Sequence, residues 1–170
     1  VGGAETITSG DVYLAALINV QEAGKNVYFM SFAPGTASFP ADTRAGSEIG
    51  RLFISEGDAT GTFKLGMSKN GTDPTNTSAD LALNTTHLVV MKYTFVEGST
   101  NDVFSVWVDP SDLSAEGTPL MTQSNTADIS ATRGMRAIVL RQGGTNKKKA
   151  PVLNVGPVSY THLTLPTNSL

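Results

Sequence analysis

Cysteine is absent from this 170-residue chain, so neither a disulfide nor a thiolate metal site can form, and the compartment stays undecided on that ground. Charge is sparse, at 16% of residues, and the formal net charge is −3. That balance offers no broad basic field for a phosphate backbone and argues against nucleic acid as a partner. Histidine occurs twice and tryptophan once. No apolar run approaches the roughly 20 residues that a helix needs to cross a bilayer, so no membrane span is expected. The chain opens Val-Gly-Gly, with no Met, basic leader or apolar leader core, and is expected to be an internal fragment of a longer polypeptide.

What is present suits short strands and many turns. The 17 Gly and 8 Pro are joined by abundant Thr, Ser and Asn, and 39% of residues are apolar. At this length one domain can bury a real core, whereas two would each be small. The clearest element is residues 86–110, THLVVMKYTFVEGSTNDVFSVWVDP, which reads as a long hairpin. Val89, Met91, Tyr93 and Phe95 share one face of its first arm. Phe104, Val106 and Val108 share one face of its second, with Ser105, Trp107 and Asp109 opposite. Pairing Glu97 with Asp102 across the turn sets Met91 against Val108, Tyr93 against Val106, Phe95 against Phe104 and Lys92 against Trp107.

Further strands are expected at 11–20 (DVYLAALINV, apolar enough to be buried on both faces), 27–33, 49–55, 62–68, weakly at 79–83, at 119–123, at 135–141 and at 152–155. Residues 34–47 form a Gly/Pro/Ala/Thr-rich loop, and 143–149 (GGTNKKK) a solvated basic turn. Pro110 followed by SDLSAE predicts a single helical turn over 110–116. Eight to ten strands and no long helix close most naturally as a two-sheet antiparallel sandwich.

Residues 158–167, VSYTHLTLPT, match one reading frame of the mosaic-end adapter used in transposase library preparation. Residues 158–170 are therefore expected to be a non-native tail, and residues 1–157 a single lectin-like β-sandwich fragment. His162 falls in that tail.

HLVVMKY, the strand ending W-V-D-P, and RAIVLRQG some 25 residues later resemble the laminin-G/concanavalin A-like modules of secreted bacterial, Bacteroidetes-type multidomain proteins, with VYFMSF and KLGMSKN at earlier core strands. The resemblance covers residues 11–156. It implies an all-β jelly roll of two antiparallel sheets, an extracellular or cell-surface location, and other domains in the same polypeptide. Two departures stand out. The first strand of the family is missing before Val12, and the last, at Leu153-Asn-Val-Gly-Pro, runs into the tail.

Concanavalin A-like folds include glycoside hydrolases that carry E-x-D-x-x-E on one strand. Here Glu56-Gly-Asp58 is the nearest approach, Gly61 stands where the second glutamate belongs, and EGDATG reads as a hairpin turn. Asn101, Asp102, Asp109 and Asp112 could offer oxygen to calcium, although they show no D-x-D-x-D spacing and are common strand-end residues. No other cofactor is called for. Trp107, on the polar face of its strand, could stack on a sugar ring, but the reading preferred for it is a place under the stem of Lys92 or under a loop. His87, alone in the native region, reads as structural. The N-x-S/T triplets at Asn70, Asn76 and Asn84 read as chance in a Thr/Asn-rich chain.

The leading expectation is a non-catalytic module, not an enzyme, that binds a polysaccharide or cell-surface glycan, with Trp107 as its one candidate contact. Behind it stand a structural spacer without ligand and a divergent glycoside hydrolase or lyase. Fold analogy alone separates none of these.

Overall fold

The structure, a computed structural model, describes residues 6–34, 48–129, 133–143 and 149–163. The expected loop beyond Pro34, the first five residues, most of the 143–149 turn and residues 164–170 lie outside them. The described residues form β1 (Asp11–Glu22), β2 (Val27–Pro34), β3 (Ile49–Glu56), β4 (Thr62–Ser68), β5 (Asn76–Thr77), β6 (Leu81–Ala82), β7 (Thr86–Thr94), β8 (Val103–Val108), β9 (Met121–Gln123), β10 (Met135–Leu140) and β11 (Val152–Leu163). One antiparallel sheet runs β11-β1-β7-β8-β9; the other runs β10-β2-β3-β4-β5, with β6 against β4. The all-β jelly-roll class is as expected. No helix among the described residues is long and apolar enough to cross a membrane.

Alternation puts the core between the sheets. Val12, Leu14, Ala16, Ile18 and Val20 of β1, Val89, Met91 and Tyr93 of β7, and Phe104 and Val106 of β8 face Phe29, Met30, Phe32, Leu52, Ile54, Phe63, Leu65 and Met67 of the second sheet. β1 is buried on one face only, against expectation: Leu17 points outward and is 39% exposed. Its apolar outer residues are a half-covered sheet surface, not a second core. At Gly50 of β3 there is no room for a side chain. Its backbone is left-handed (φ +59°), and a Cβ there would meet Phe32 at 2.9 Å and Phe104 at 3.2 Å.

The β7–β8 hairpin keeps the expected faces but is shifted by two residues. Met91 pairs with Val106, Tyr93 with Phe104, Lys92 with Ser105 and Val90 with Trp107. The ladder stops at Thr94–Val103 because Asp102 turns inward. Its carboxylate accepts from Tyr93 OH (2.8 Å) and Val96 N (2.7 Å), so it belongs to the core's end and not to a two-sided turn. Below it lies Lys69, fully buried. Its ammonium donates to Asp128 Oδ1 (2.5 Å), Ser124 O (2.6 Å) and Asp102 O (2.8 Å). This stitches β4 to the hairpin turn and to the segment after β9.

β11 also differs from expectation. It runs on to Leu163, pairing with β1 back to Asp11, six residues into the stretch set aside as non-native. An outer edge of free N–H and C=O groups accepts any extended segment, whatever its side chains. Residues 156–159 and 161 are exposed, so this half of β11 supplies ladder bonds and little core. Ahead of β1, Ile7 bridges Met135 through two backbone hydrogen bonds of 2.7 and 2.8 Å.

Candidate functional site

The outward face of the five-stranded sheet carries Tyr13, Val90, Lys92 and Trp107, and residues 110–117 fold across it as a strap. The strap holds no helical turn. Asp112 Oδ1 accepts from both N (2.7 Å) and Oγ (2.6 Å) of Ser114, an Asx turn that takes the place of the backbone bonds a helix needs. Trp107 is 8% exposed, and its indole N–H donates to Gly117 O at 2.8 Å. The strap thus covers much of Trp107, which still lines the pocket beneath it. Lys92 is not across from it. The ammonium lies 5.2 Å from the Tyr13 ring and pairs with Glu116 (2.7 Å) and Asp11 (3.1 Å). Burial works to lower the pKa of Lys92, but bonds from Glu116, Tyr13 and Asp11 outweigh it and drive the value up, so the charge is fixed.

The outward face of the six-stranded sheet holds a second polar group. Tyr28 of β2 pairs across the sheet with Phe53 of β3, ring edge to ring face at 5.7 Å. Arg141, held by its backbone N–H to Phe29 O (2.7 Å), lays its guanidinium 4.4 Å from the Tyr28 ring centre; Arg51 stands at 5.3 Å. Arg51 and Glu48 are each 3% exposed. They pair at 3.7 Å, and Arg51 also donates to Gly71 O at 2.5 Å. Tyr28 OH donates to Glu48 Oε1 at 3.3 Å. Arg51 Nε and the neighbouring Ser31 Oγ are buried without a partner. Arg141 is half-buried and has no carboxylate partner among the described residues. The Tyr28 phenol is pushed up from its ordinary value, by burial first and then by the Glu48 charge, with Arg141 and Arg51 pulling the other way. A protonated phenol, a carboxylate and two guanidiniums therefore converge on one sheet surface.

None of these four residues was singled out from the sequence. The available signal was Arg51 itself, a charge in the middle of the apolar run IGRLFIS, where burial has to be offset by a partner. Other expected residues have plain structural duties. Glu56 and Asp58 sit at the β3–β4 turn as expected, with Asp58 paired to Lys64 at 2.7 Å. His87 Nδ1 meets Asp109 Oδ2 at 2.6 Å; its other ring nitrogen is buried and unpartnered, and the ring packs edge-on against Phe63. The four candidate calcium ligands do not converge. Asn101 bonds Glu97 O, Asp102 the Tyr93 phenol, Asp109 His87 and Asp112 Ser114. Among the described residues no acidic or imidazole cluster is grouped to hold an ion.

No protein-family model and no curated protein matches the chain. Solved structures do. The alginate lyase PA1167 from Pseudomonas aeruginosa is 10% identical, with a TM-score of 0.54 over 95% of this chain and 68% of that one. A variant of the alginate lyase Aly36B, solved with an alginate tetrasaccharide, is 14% identical, with a TM-score of 0.52 over 91% and 68%. At such identities the likeness is one of fold. Both neighbours are nevertheless catalysts, and that overturns the expectation of a non-catalytic module and of a chain that is no enzyme. That expectation leaned on Gly61 where a hydrolase keeps its second glutamate. A missing hydrolase motif excludes one mechanism; elimination from a polysaccharide does not use that pair.

Proposed function

We propose that this sandwich belongs to an enzyme that cuts an acidic polysaccharide by β-elimination, with Tyr28, Glu48, Arg51 and Arg141 at its centre. The observation that carries the reading is Arg141, a guanidinium laid 4.4 Å over Tyr28 with no carboxylate partner among the described residues. Its planar fork matches a uronate carboxylate. Pairing there draws charge from the sugar's C5 and acidifies the hydrogen it bears. The Glu48 carboxylate takes that hydrogen as a proton, the C4–O4 bond breaks as C4=C5 forms, and Tyr28 protonates the leaving oxygen. The proton then passes from Glu48 to the phenolate along their 3.3 Å contact and resets the site. Arg51 fixes Glu48.

The fold shared with alginate lyases supports the reaction class, and a polysaccharide substrate supports an extracellular or cell-surface setting. The test is to incubate the protein with alginate, pectate and a neutral glucan and follow the ultraviolet absorbance of the unsaturated uronate. Absorbance is expected with a polyuronate and not with the glucan, and Tyr28→Phe is expected to abolish it with the fold intact. New reducing ends without unsaturated product, or no product from any polyuronate, would overturn the proposal.

A further inference from the structure

The strap at 110–117 does not lie flat on its sheet. It roofs a pocket of about 310 Å³ on the side of the sandwich away from Tyr28, walled by Tyr13, Val90, Trp107, Leu113 and Glu116. That is the small end of the roughly 300–1,000 Å³ found for ligand pockets, with room for a single small ring. The polar ends of both aromatic walls are tied: Trp107 to Gly117 O, and the Tyr13 hydroxyl to Glu116. What remains toward the pocket is mostly apolar and aromatic, with the Glu116 carboxylate beside it. Charge narrows the occupant. Asp11, Asp112 and Glu116 stand against Lys92 alone, a local charge of −2 that repels a uronate. Lys92 has no attraction left for an anion, since it already pairs with two carboxylates.

We propose that this pocket binds one neutral sugar ring, its C–H face against Trp107 and Tyr13 and its hydroxyls donating to Glu116. The site is separate from the Tyr28 group and does not depend on the elimination reading. The combination suits a chain that would hold a mixed or neighbouring neutral glycan on one face and treat an acidic one on the other.

Trp107 is the sole tryptophan, so its emission reports the pocket directly. The intact 170-residue chain is titrated with glucose, galactose, mannose, N-acetylglucosamine, glucosamine and glucuronate. At least one neutral sugar is expected to give a saturable change, with glucuronate about tenfold weaker or worse. Tyr13→Ala is expected to weaken that binding about tenfold, the scale of one lost aromatic contact. Should Tyr13→Ala unfold by circular dichroism, Ala115→Leu, at an exposed strap position lining the pocket, serves instead and is expected to block binding by filling the space. No saturable change with any neutral sugar, tighter binding of glucuronate or of cationic glucosamine, or full affinity in the folded Ala115→Leu variant would each overturn the proposal.

Discussion

The Lys69 side chain is fully buried, and its nitrogen is met by three acceptors, Asp128 Oδ1, Ser124 O and Asp102 O. Such a group adds little over a hydrophobic side chain while intact, but removing one partner leaves a buried charge alone. Lys69→Met leaves Asp128 facing only the backbone N–H groups of Asn101 and Asp102, each at 3.0 Å. The variant is expected to lose about 3–5 kcal/mol, read from urea unfolding midpoints; a loss under about 1 kcal/mol would show that the network contributes no such constraint. Two pH effects follow at the same scale. Burial tends to raise the Glu116 pKa, but bonds from Lys92 and Tyr13 bring it below the ordinary value. A lowered folded pKa means that its hold on the strap is complete above the usual carboxylate range and is lost as pH falls below that range through the lowered folded value. Trp107 emission is therefore expected to change on acidification before global unfolding, and Glu116→Gln to remove that step. At the other face, the raised Tyr28 pKa keeps the phenol protonated well past neutrality. Turnover is expected not to fall between about pH 7 and 9 through loss of that proton; a decline there that Arg141→Lys leaves unchanged would speak against Tyr28 as the acid.

Strands were legible because alternation is a local property, and the structure returns nearly every expected one. Register was not. Alternation is blind to a shift of two residues, and what decides the hairpin is Asp102 folding inward to Tyr93, a contact with no local signature. The strap failed for a similar reason: Pro110 reads as a helix start, yet Asp112 captures Ser114 first. The far half of β11 is the opposite case, a backbone pairing with little side-chain burial, whereas Leu153 and Val155 in its first half pack against the core. Deleting residues 158–170 is expected to leave the thermal midpoint unchanged within error, because residues 158, 159 and 161 are exposed and add little to the core. A drop of several degrees would show that the segment packs as a native strand.

At the scale of the whole molecule, two sheets back to back leave two outward faces, and the sequence pointed only to one. Trp107 drew notice by being unique, whereas Arg141 lies 90 residues from Arg51 and meets Tyr28 only because β10 pairs with β2 and β2 with β3. Proximity of that kind is set by sheet order, which no pattern in a single strand encodes. Under the proposed elimination, the Tyr28 group is where the chemistry would sit on the fold shared with alginate lyases. The most direct measurement is a crystal structure of the Tyr28→Phe variant soaked with an alginate trisaccharide. The expected result is an oligosaccharide across β2 and β10 with one uronate carboxylate in bidentate contact with Arg141. Sugar density confined to the Trp107 face, with Arg141 bare, would contradict it.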